Sequence, residues 1–184
     1  MTLPQNKLRI IGGKWRSRVV TFSPNAGLRP TPARVRETVF NWLGQDMHKS
    51  TCLDLFAGSG VMGIEAASRG SRQVVMVESS PKVYSSLQSS LQKLQADQIE
   101  LLKLDALKFI MSDKRLFDVI FLDPPYRQGL VSRVLPLLPF HLSKNGLIYV
   151  ETDNPLELEE DWLVWRDGRA GRVYYQLLRY EKNR

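Results

Sequence analysis

Hydrophobic and polar residues alternate in blocks from residue 51 to about residue 151. Short apolar runs rich in β-branched residues predict strands that are covered on both faces of a sheet. Longer amphipathic segments separate them, such as the one that begins at Pro81 and carries Val83, Leu87 and Leu91 on one face. The predicted strands are Cys52–Phe56, Gln73–Val77, Ile99–Leu104, Val119–Leu122 and Leu147–Glu151. This alternation predicts an α/β fold with a parallel sheet and right-handed crossovers.

The two ends of the chain follow other patterns. At the C-terminal end, two β-rich segments, Trp162–Trp165 and Val173–Tyr180, predict an antiparallel hairpin with a turn at Asp167-Gly168. At the N-terminal end, Leu8–Ile11 and Arg18–Phe22 flank two glycines and predict a small hairpin.

A helix is predicted to follow the N-terminal hairpin. Thr31-Pro32 offers a hydroxyl cap and a proline at the first helical position. The helix would present one apolar face, from which Arg34 and Arg36 point away. We therefore expect residues 1–50 to form an extension packed on a core domain of residues 51–184.

Charge is distributed unevenly along this 184-residue chain, whose net charge is +7. Residues 1–50 hold nine basic and two acidic residues, so 9 − 2 = +7, and the rest of the chain is neutral. A basic segment on a neutral body favours docking to a polyanion such as nucleic acid; the alternative is a solvated extension. The residues we expect to contact RNA are Arg9, Lys14, Trp15, Arg16, Arg18, Arg29, Arg34 and Arg36.

The composition argues against several classes of protein. The single cysteine, Cys52, allows no internal disulfide, and one cysteine with two histidines is too few for a structural zinc site. The apolar runs are far shorter than the ~20 residues of a membrane span. We expect a cytoplasmic protein with no metal, and a monomer by default.

A glycine loop joins the first predicted strand of the core to its helix. It contains Gly58-x-Gly60-x-x-Gly63, a spacing that also occurs in dinucleotide-binding proteins. Asp54 precedes the loop, and a carboxylate there would repel a pyrophosphate but suit a cationic ligand such as S-adenosylmethionine. The alternative is a glycine turn that only packs the helix on the strand.

Single acidic residues end the next two strands. Glu78 could accept hydrogen bonds from ribose hydroxyls, and Asp105 could accept one from an adenine amino group. Each would also serve as an ordinary helix cap. Together with Asp54 they occupy the carboxyl edge of three successive strands, where open α/β sheets bind ligands.

Asp123-Pro124-Pro125-Tyr126 follows the fourth apolar strand. The prolines fix a rigid turn that would hold the Asp123 carboxylate and the Pro124 carbonyl close together as two acceptors. Two acceptors match the two hydrogens of an exocyclic amine, and the Tyr126 ring could stack on the base. Such a site would promote methyl transfer to nitrogen mainly by positioning.

These four motifs resemble motifs I to IV of class I S-adenosylmethionine-dependent methyltransferases that act on exocyclic amines. The segments Leu8–Arg18, Gly27–Thr31 and Val35–Leu43 are similar to the bacterial 16S ribosomal RNA (guanine-N2) methyltransferase family. The resemblance implies a Rossmann-like fold with a mostly parallel seven-stranded sheet and a C-terminal antiparallel hairpin. It also implies S-adenosylmethionine as cofactor and a guanine of 16S rRNA, presented by the small ribosomal subunit, as substrate.

The resemblance carries functional residues to matching positions of this chain. The cofactor-binding positions are Asp54, Phe56, Gly58, Ser59, Gly60, Glu78, Asp105 and Ala106, and the amine-holding positions are Asp123, Pro124 and Tyr126. Some close relatives carry phenylalanine in place of Tyr126, so only its ring is assigned a role.

Three other functions are compatible with parts of the sequence. An adenine-N6 methyltransferase would present the same two amine hydrogens to Asp123. A nicotinamide-dependent oxidoreductase would explain the glycine loop and Glu78 but not the Asp-Pro-Pro-Tyr motif. A non-catalytic RNA-binding or assembly module would use only the basic N-terminal segment.

Overall fold

The structure is a computed structural model that describes residues 6–22, 30–125 and 129–181. The described chain begins with strand β1 (Asn6–Arg9), a 3₁₀ turn (Gly13–Trp15) and strand β2 (Val19–Phe22). The two strands pair antiparallel, as predicted. Helix α1 (Ala33–Leu43) follows, with Pro32 at its N-cap. The sequence predicted that the Thr31 hydroxyl caps this helix. In the structure it donates instead to Glu151 Oε1 at 2.5 Å.

A seven-stranded sheet with the order β5-β4-β3-β6-β7-β9-β8 forms the centre of the core. Its strands are β3 (Thr51–Asp54), β4 (Gln73–Val77), β5 (Ile99–Leu102), β6 (Phe117–Leu122), β7 (Leu142–Thr152), β8 (Trp162–Ala170) and β9 (Val173–Tyr180). The first five run parallel, and β9 is antiparallel to both β7 and β8. The predicted fold class, a mostly parallel sheet with a C-terminal antiparallel hairpin, is confirmed.

Four helices connect the parallel strands: α2 (Val61–Ser68), α3 (Pro81–Leu94), α4 (Ala106–Ser112) and α5 (Leu130–Val134), which continues as a 3₁₀ helix over Leu135–His141. Successive side chains of a strand face opposite sides of the sheet. Cys52 therefore belongs to the apolar cluster shared with α1, α2 and α3, whereas Leu53 belongs to the cluster shared with α4 and α5.

The N-terminal segment forms an additional layer over α2 and α3. The Trp15 N–H donates to Ser68 Oγ at 2.9 Å, and Ser90 Oγ donates to the Thr21 carbonyl at 2.8 Å. Every residue of α2 is buried as a result. A helix that is covered on all sides can be largely apolar, and the exceptions in α2, Glu65 and Ser68, accept hydrogen bonds from Arg36 and from the Trp15 backbone.

The turn of the C-terminal hairpin differs from its prediction. Asp167 and Gly168 continue β8, opposite Gln176 and Tyr175 of β9, and the turn follows Ala170. A Cβ atom on Gly168 would stand 2.4 Å from Tyr175 Cζ, so the glycine accommodates a cross-strand aromatic ring.

Among the residues that the structure describes, no helix is long and apolar enough to cross a membrane. Nor do these residues include a group of three or more His, Cys, Asp or Glu side chains that could hold a metal ion.

Candidate active site at the carboxyl edge of the sheet

A cavity of about 360 Å³ opens at the carboxyl ends of β3, β4 and β6. This volume is within the usual range of small-molecule sites. Four carboxylates line it, those of Asp54, Glu78, Asp105 and Asp123, and the described lining residues include no lysine or arginine. The cavity is therefore electrostatically suited to a cationic ligand.

The glycine loop forms one wall of the cavity. Phe56, Gly58 and Ser59 line it, and Gly58 has a positive φ of 52°. Gly60 does not line the cavity but packs against α3. A Cβ atom on Gly60 would stand 2.3 Å from Leu87 Cδ2, so the absence of a side chain allows the backbone to approach this helix closely.

Glu78 ties the glycine loop to the end of β4. Its Oε2 accepts from the Gly58 N–H at 3.0 Å, and its Oε1 accepts from the Ser80 N–H at 2.7 Å. Glu78 is half-buried and lines the cavity. Each carboxylate oxygen has a second lone pair, so the side chain can still accept from a bound ligand.

Asp54 is buried at the end of β3 and caps the start of α2. Its Oδ2 accepts from the Gly63 N–H at 3.0 Å. Burial raises the pKa of Asp54 to about 7; the Gly63 hydrogen bond opposes this rise and the charge of Glu78 adds to it. A positive ligand in the cavity would favour the ionised form.

Asp105 and Ala106 form the wall beyond β5. Asp105 Oδ1 accepts from the Lys108 N–H at 3.1 Å and so caps α4, while the residue still lines the cavity. Ala106 is buried and presents an apolar surface to the same space. The structure thus brings all predicted cofactor positions except Gly60 to one cavity.

Asp123, Pro124 and Pro125 line the opposite wall, directly after β6. Asp123 is half-buried and Pro124 is buried. Burial raises the pKa of Asp123 well above its usual value, and the negative charges of Glu151 and Asp54 raise it further. Tyr126, the third predicted residue of this motif, lies outside the described residues.

Glu151 was missed by the sequence analysis. It extends β7 beside Asp123, because Leu122 and Val150 are paired in the parallel register. Its Oε1 accepts from the Thr31 hydroxyl at 2.5 Å and from the Tyr149 hydroxyl at 2.7 Å. The signal was available: Glu151 ends a predicted apolar strand, and Glu78 directly follows another.

Two of the residues predicted to contact RNA are buried instead. Arg36 is 1% exposed and pairs with Glu65 of α2, with 2.7 Å between Nη1 and Oε1. The Trp15 ring is 5% exposed. Both assignments are corrected, because a phosphate or a base in solution does not reach these groups.

The remaining cations of the N-terminal segment are exposed, but several lie away from the cavity. Lys14 Nζ donates to Gln98, which precedes β5, and Arg18 Nη2 donates to the carbonyl of Lys93, near the end of α3. Both contacts lie at the amino edge of the sheet, because Lys93 and Gln98 precede the start of β5; Arg16 is exposed. Arg9 and Arg34 are also exposed, and Arg29 lies outside the described residues.

The chain resembles known proteins over almost its full length. A family model described as "Conserved hypothetical protein 95" matches residues 8–179. Ribosomal RNA small subunit methyltransferase D of Haemophilus influenzae is 41% identical over 181 residues, which cover 94% of each chain. The Escherichia coli K12 protein of the same name is 38% identical to this chain, over 95% of this chain and 91% of its own length. This chain therefore belongs to the same family as these small subunit methyltransferase D proteins.

Solved structures agree with this membership. The Escherichia coli protein yhhF is 38% identical and superposes with a TM-score of 0.85, over 97% of this chain and 100% of its own. An RNA methyltransferase from Salinibacter ruber, solved with S-adenosyl-L-homocysteine, has a TM-score of 0.67 over 84% of this chain. At 18% identity the second likeness concerns the fold alone, which is that of class I methyltransferases.

Proposed function

We propose that this protein transfers a methyl group from S-adenosylmethionine to the exocyclic N2 amine of a guanine in 16S rRNA of the small ribosomal subunit. The observation that carries the proposal is the position of Asp123 and Pro124. They directly follow β6 on one wall of a cavity whose other walls hold the glycine loop, Glu78 and Asp105. Family membership supports ribosomal RNA as the substrate class.

The cavity fits S-adenosylmethionine in size and in charge. Glu78 would accept from the ribose hydroxyls, Asp105 from the adenine amino group, and Asp54 would face the cationic end of the cofactor. Phe56 and Ala106 supply apolar wall. When bound, the cofactor supplies a methyl group activated by a positively charged sulfur.

Asp123 and the Pro124 carbonyl would hold the two hydrogens of the amine. This arrangement directs the nitrogen lone pair towards the methyl carbon, so positioning contributes most of the rate. The amine loses one proton when it gains the methyl group, and Asp123 would accept that proton. The raised pKa of Asp123 makes it a better proton acceptor than an exposed carboxylate.

The exposed N-terminal cations would contact the small subunit through phosphates. We retain Arg9, Lys14, Arg16, Arg18 and Arg34 for this part, because they are exposed. Residues 1–50 as a docking extension, a monomeric state and a cytoplasmic location stay predictions.

Asp123→Asn tests the site. We expect methyl transfer to small subunits lacking the modification to fall on the order of 10²-fold or more, as when one preorganised polar group is removed from an active site. Cofactor affinity, measured by calorimetry, should change less than threefold. Asp153→Asn, an exposed acid just beyond β7, is the matched control and should keep full activity. Parallel loss of cofactor binding in Asp123→Asn would make Asp123 structural.

Nucleoside analysis of the labelled RNA tests the base. Label in N2-methylguanosine is expected. Label in N6-methyladenosine would keep the site and overturn the guanine assignment. Binding of NAD in preference to S-adenosylmethionine, or subunit binding without methyl transfer, would favour the oxidoreductase or the non-catalytic module.

A further inference from the structure

The turn of the C-terminal hairpin reaches beyond the carboxyl edge of the sheet. Thr152, the last residue of β7, is paired with Tyr174, and Tyr174 is paired with Arg169 of β8. The hairpin then continues through Ala170, opposite Val173, and turns at Gly171, which has a φ of +62°. The turn therefore lies on the same edge as the cavity.

The strand order sets the distance between this turn and Asp123. β9 is two strands from β6 and β8 is three strands from it. Neighbouring strands are about 4.8 Å apart, so the turn lies about 10–14 Å to the side of Asp123. In duplex DNA each strand advances about 3.4 Å along the helix axis per phosphate, so an offset of this size places the turn within a few nucleotides of a base held at Asp123.

The turn is basic and partly preorganised. Arg169 and Arg172 are exposed. The Arg169 guanidinium carbon lies 5.0 Å from the centre of the Tyr174 ring, and its Nε donates to the Gly171 carbonyl at 3.0 Å. A guanidinium held by a ring and a carbonyl loses less freedom when it binds a phosphate. The nearest acid in sequence is Asp167 of β8, two residues before Arg169.

We propose that Arg169 and Arg172 form a second RNA contact, which binds phosphates of the strand that flanks the target base. The inference rests on the proposed function, because it requires an RNA base at Asp123. Arg169 and Arg172 would provide a basic surface at the carboxyl edge of the sheet, where the base would bind. Lys14 and Arg18, in contrast, make their contacts at the amino edge. The N-terminal cations would then anchor the subunit at a distance from the reacting base.

The test compares three pairs of substitutions: Arg169→Ala/Arg172→Ala, Arg169→Lys/Arg172→Lys, and Lys114→Ala/Lys144→Ala as control. Lys114 and Lys144 are exposed and lie at the amino ends of β6 and β7. Binding to small subunits from cells lacking this protein is measured against potassium chloride concentration. Methyl transfer to the same subunits and affinity for S-adenosylmethionine are measured in parallel.

We expect the alanine pair to lower the magnitude of the slope of log K against log salt by about 1.4–1.8, which is two phosphate contacts. KM for subunits should rise on the order of tenfold, and cofactor affinity should stay constant. The lysine pair should keep the slope, and the control should keep both slope and KM. An unchanged slope in the alanine pair, or an equal fall in the control, would overturn the contact. Absence of methyl transfer by the unaltered protein would instead overturn the proposed function.

Discussion

Replacing Arg36 by methionine is expected to lower the free energy of unfolding by about 3–5 kcal/mol, as when one partner of a buried ion pair is removed. The side chains of Arg36 and Glu65 are 2% and 0% exposed, so water does not replace the lost partner. The substitution also removes hydrogen bonds from the guanidinium to the carbonyls of Thr31 and Arg9, both at 3.1 Å. Arg69, with its Nε 3.4 Å from Glu65 Oε2, remains as an ion-pair partner and favours the lower end of the range.

Thermal and urea unfolding, followed by circular dichroism without cofactor, measure the effect. In a chain of this size a loss of about 3–5 kcal/mol lowers Tm by about 6–20 °C. Arg34→Met is the matched control, because Arg34 is exposed on the same helix, and its effect should stay within about 0.5 kcal/mol. Adding both Glu65→Leu and Arg69→Leu to Arg36→Met should restore part of the loss, since no member of this buried charged cluster is then left without its partner.

The result that would refute this reasoning is a change in stability below about 1 kcal/mol, accompanied by weaker binding to ribosomal subunits. Arg36 would then be an RNA contact, as the sequence suggested, and the buried position would not describe the protein in solution. Subunit binding must be measured below the Tm of the variant, so that unfolding and lost contacts are kept apart.

Three further predictions concern pH. Because burial raises the pKa of Asp54 to about 7, the dissociation constant of the cationic cofactor should fall as pH rises from 6 to 8, and calorimetry of Asp54→Asn should show a flatter dependence. In the cofactor-free protein, the Asp54 carboxyl of the unfolded chain ionises at about pH 3.9, below the pKa of the folded state. The contribution of Asp54 to the free energy of unfolding should therefore fall as pH rises from about 4 to 7. An equal fall in the free energy of unfolding of Asp54→Asn would contradict this. The charge of Glu151 raises the pKa of Asp123, so Glu151→Gln should move the acid limb of the pH–rate profile to lower pH. Glu157→Gln, at an exposed glutamate, is the control and should leave the pH–rate profile unchanged. If the acid limb of Glu151→Gln also stays in place, the charge of Glu151 does not act on Asp123.

The sequence by itself determined the order of strands and helices in the core and most of the cavity. Apolar runs and amphipathic spacing are local properties, and a parallel α/β connection brings every strand's carboxyl end to the same edge. Asp54, Glu78, Asp105 and Asp123 could therefore be assigned to one site from their positions after predicted strands, and the structure places all four around one cavity.

Only the tertiary structure decided which charged residues are free and which are paired. Arg36 and Glu65 are 29 residues apart, and their ion pair exists because the N-terminal segment covers α2. Thr31 and Glu151 are 120 residues apart, so local sequence favoured a helix cap for Thr31, whereas packing gave its hydroxyl a buried carboxylate. The hairpin likewise turns after Ala170 and not at Asp167-Gly168, and Gly168 is a strand residue that leaves room for the cross-strand ring of Tyr175.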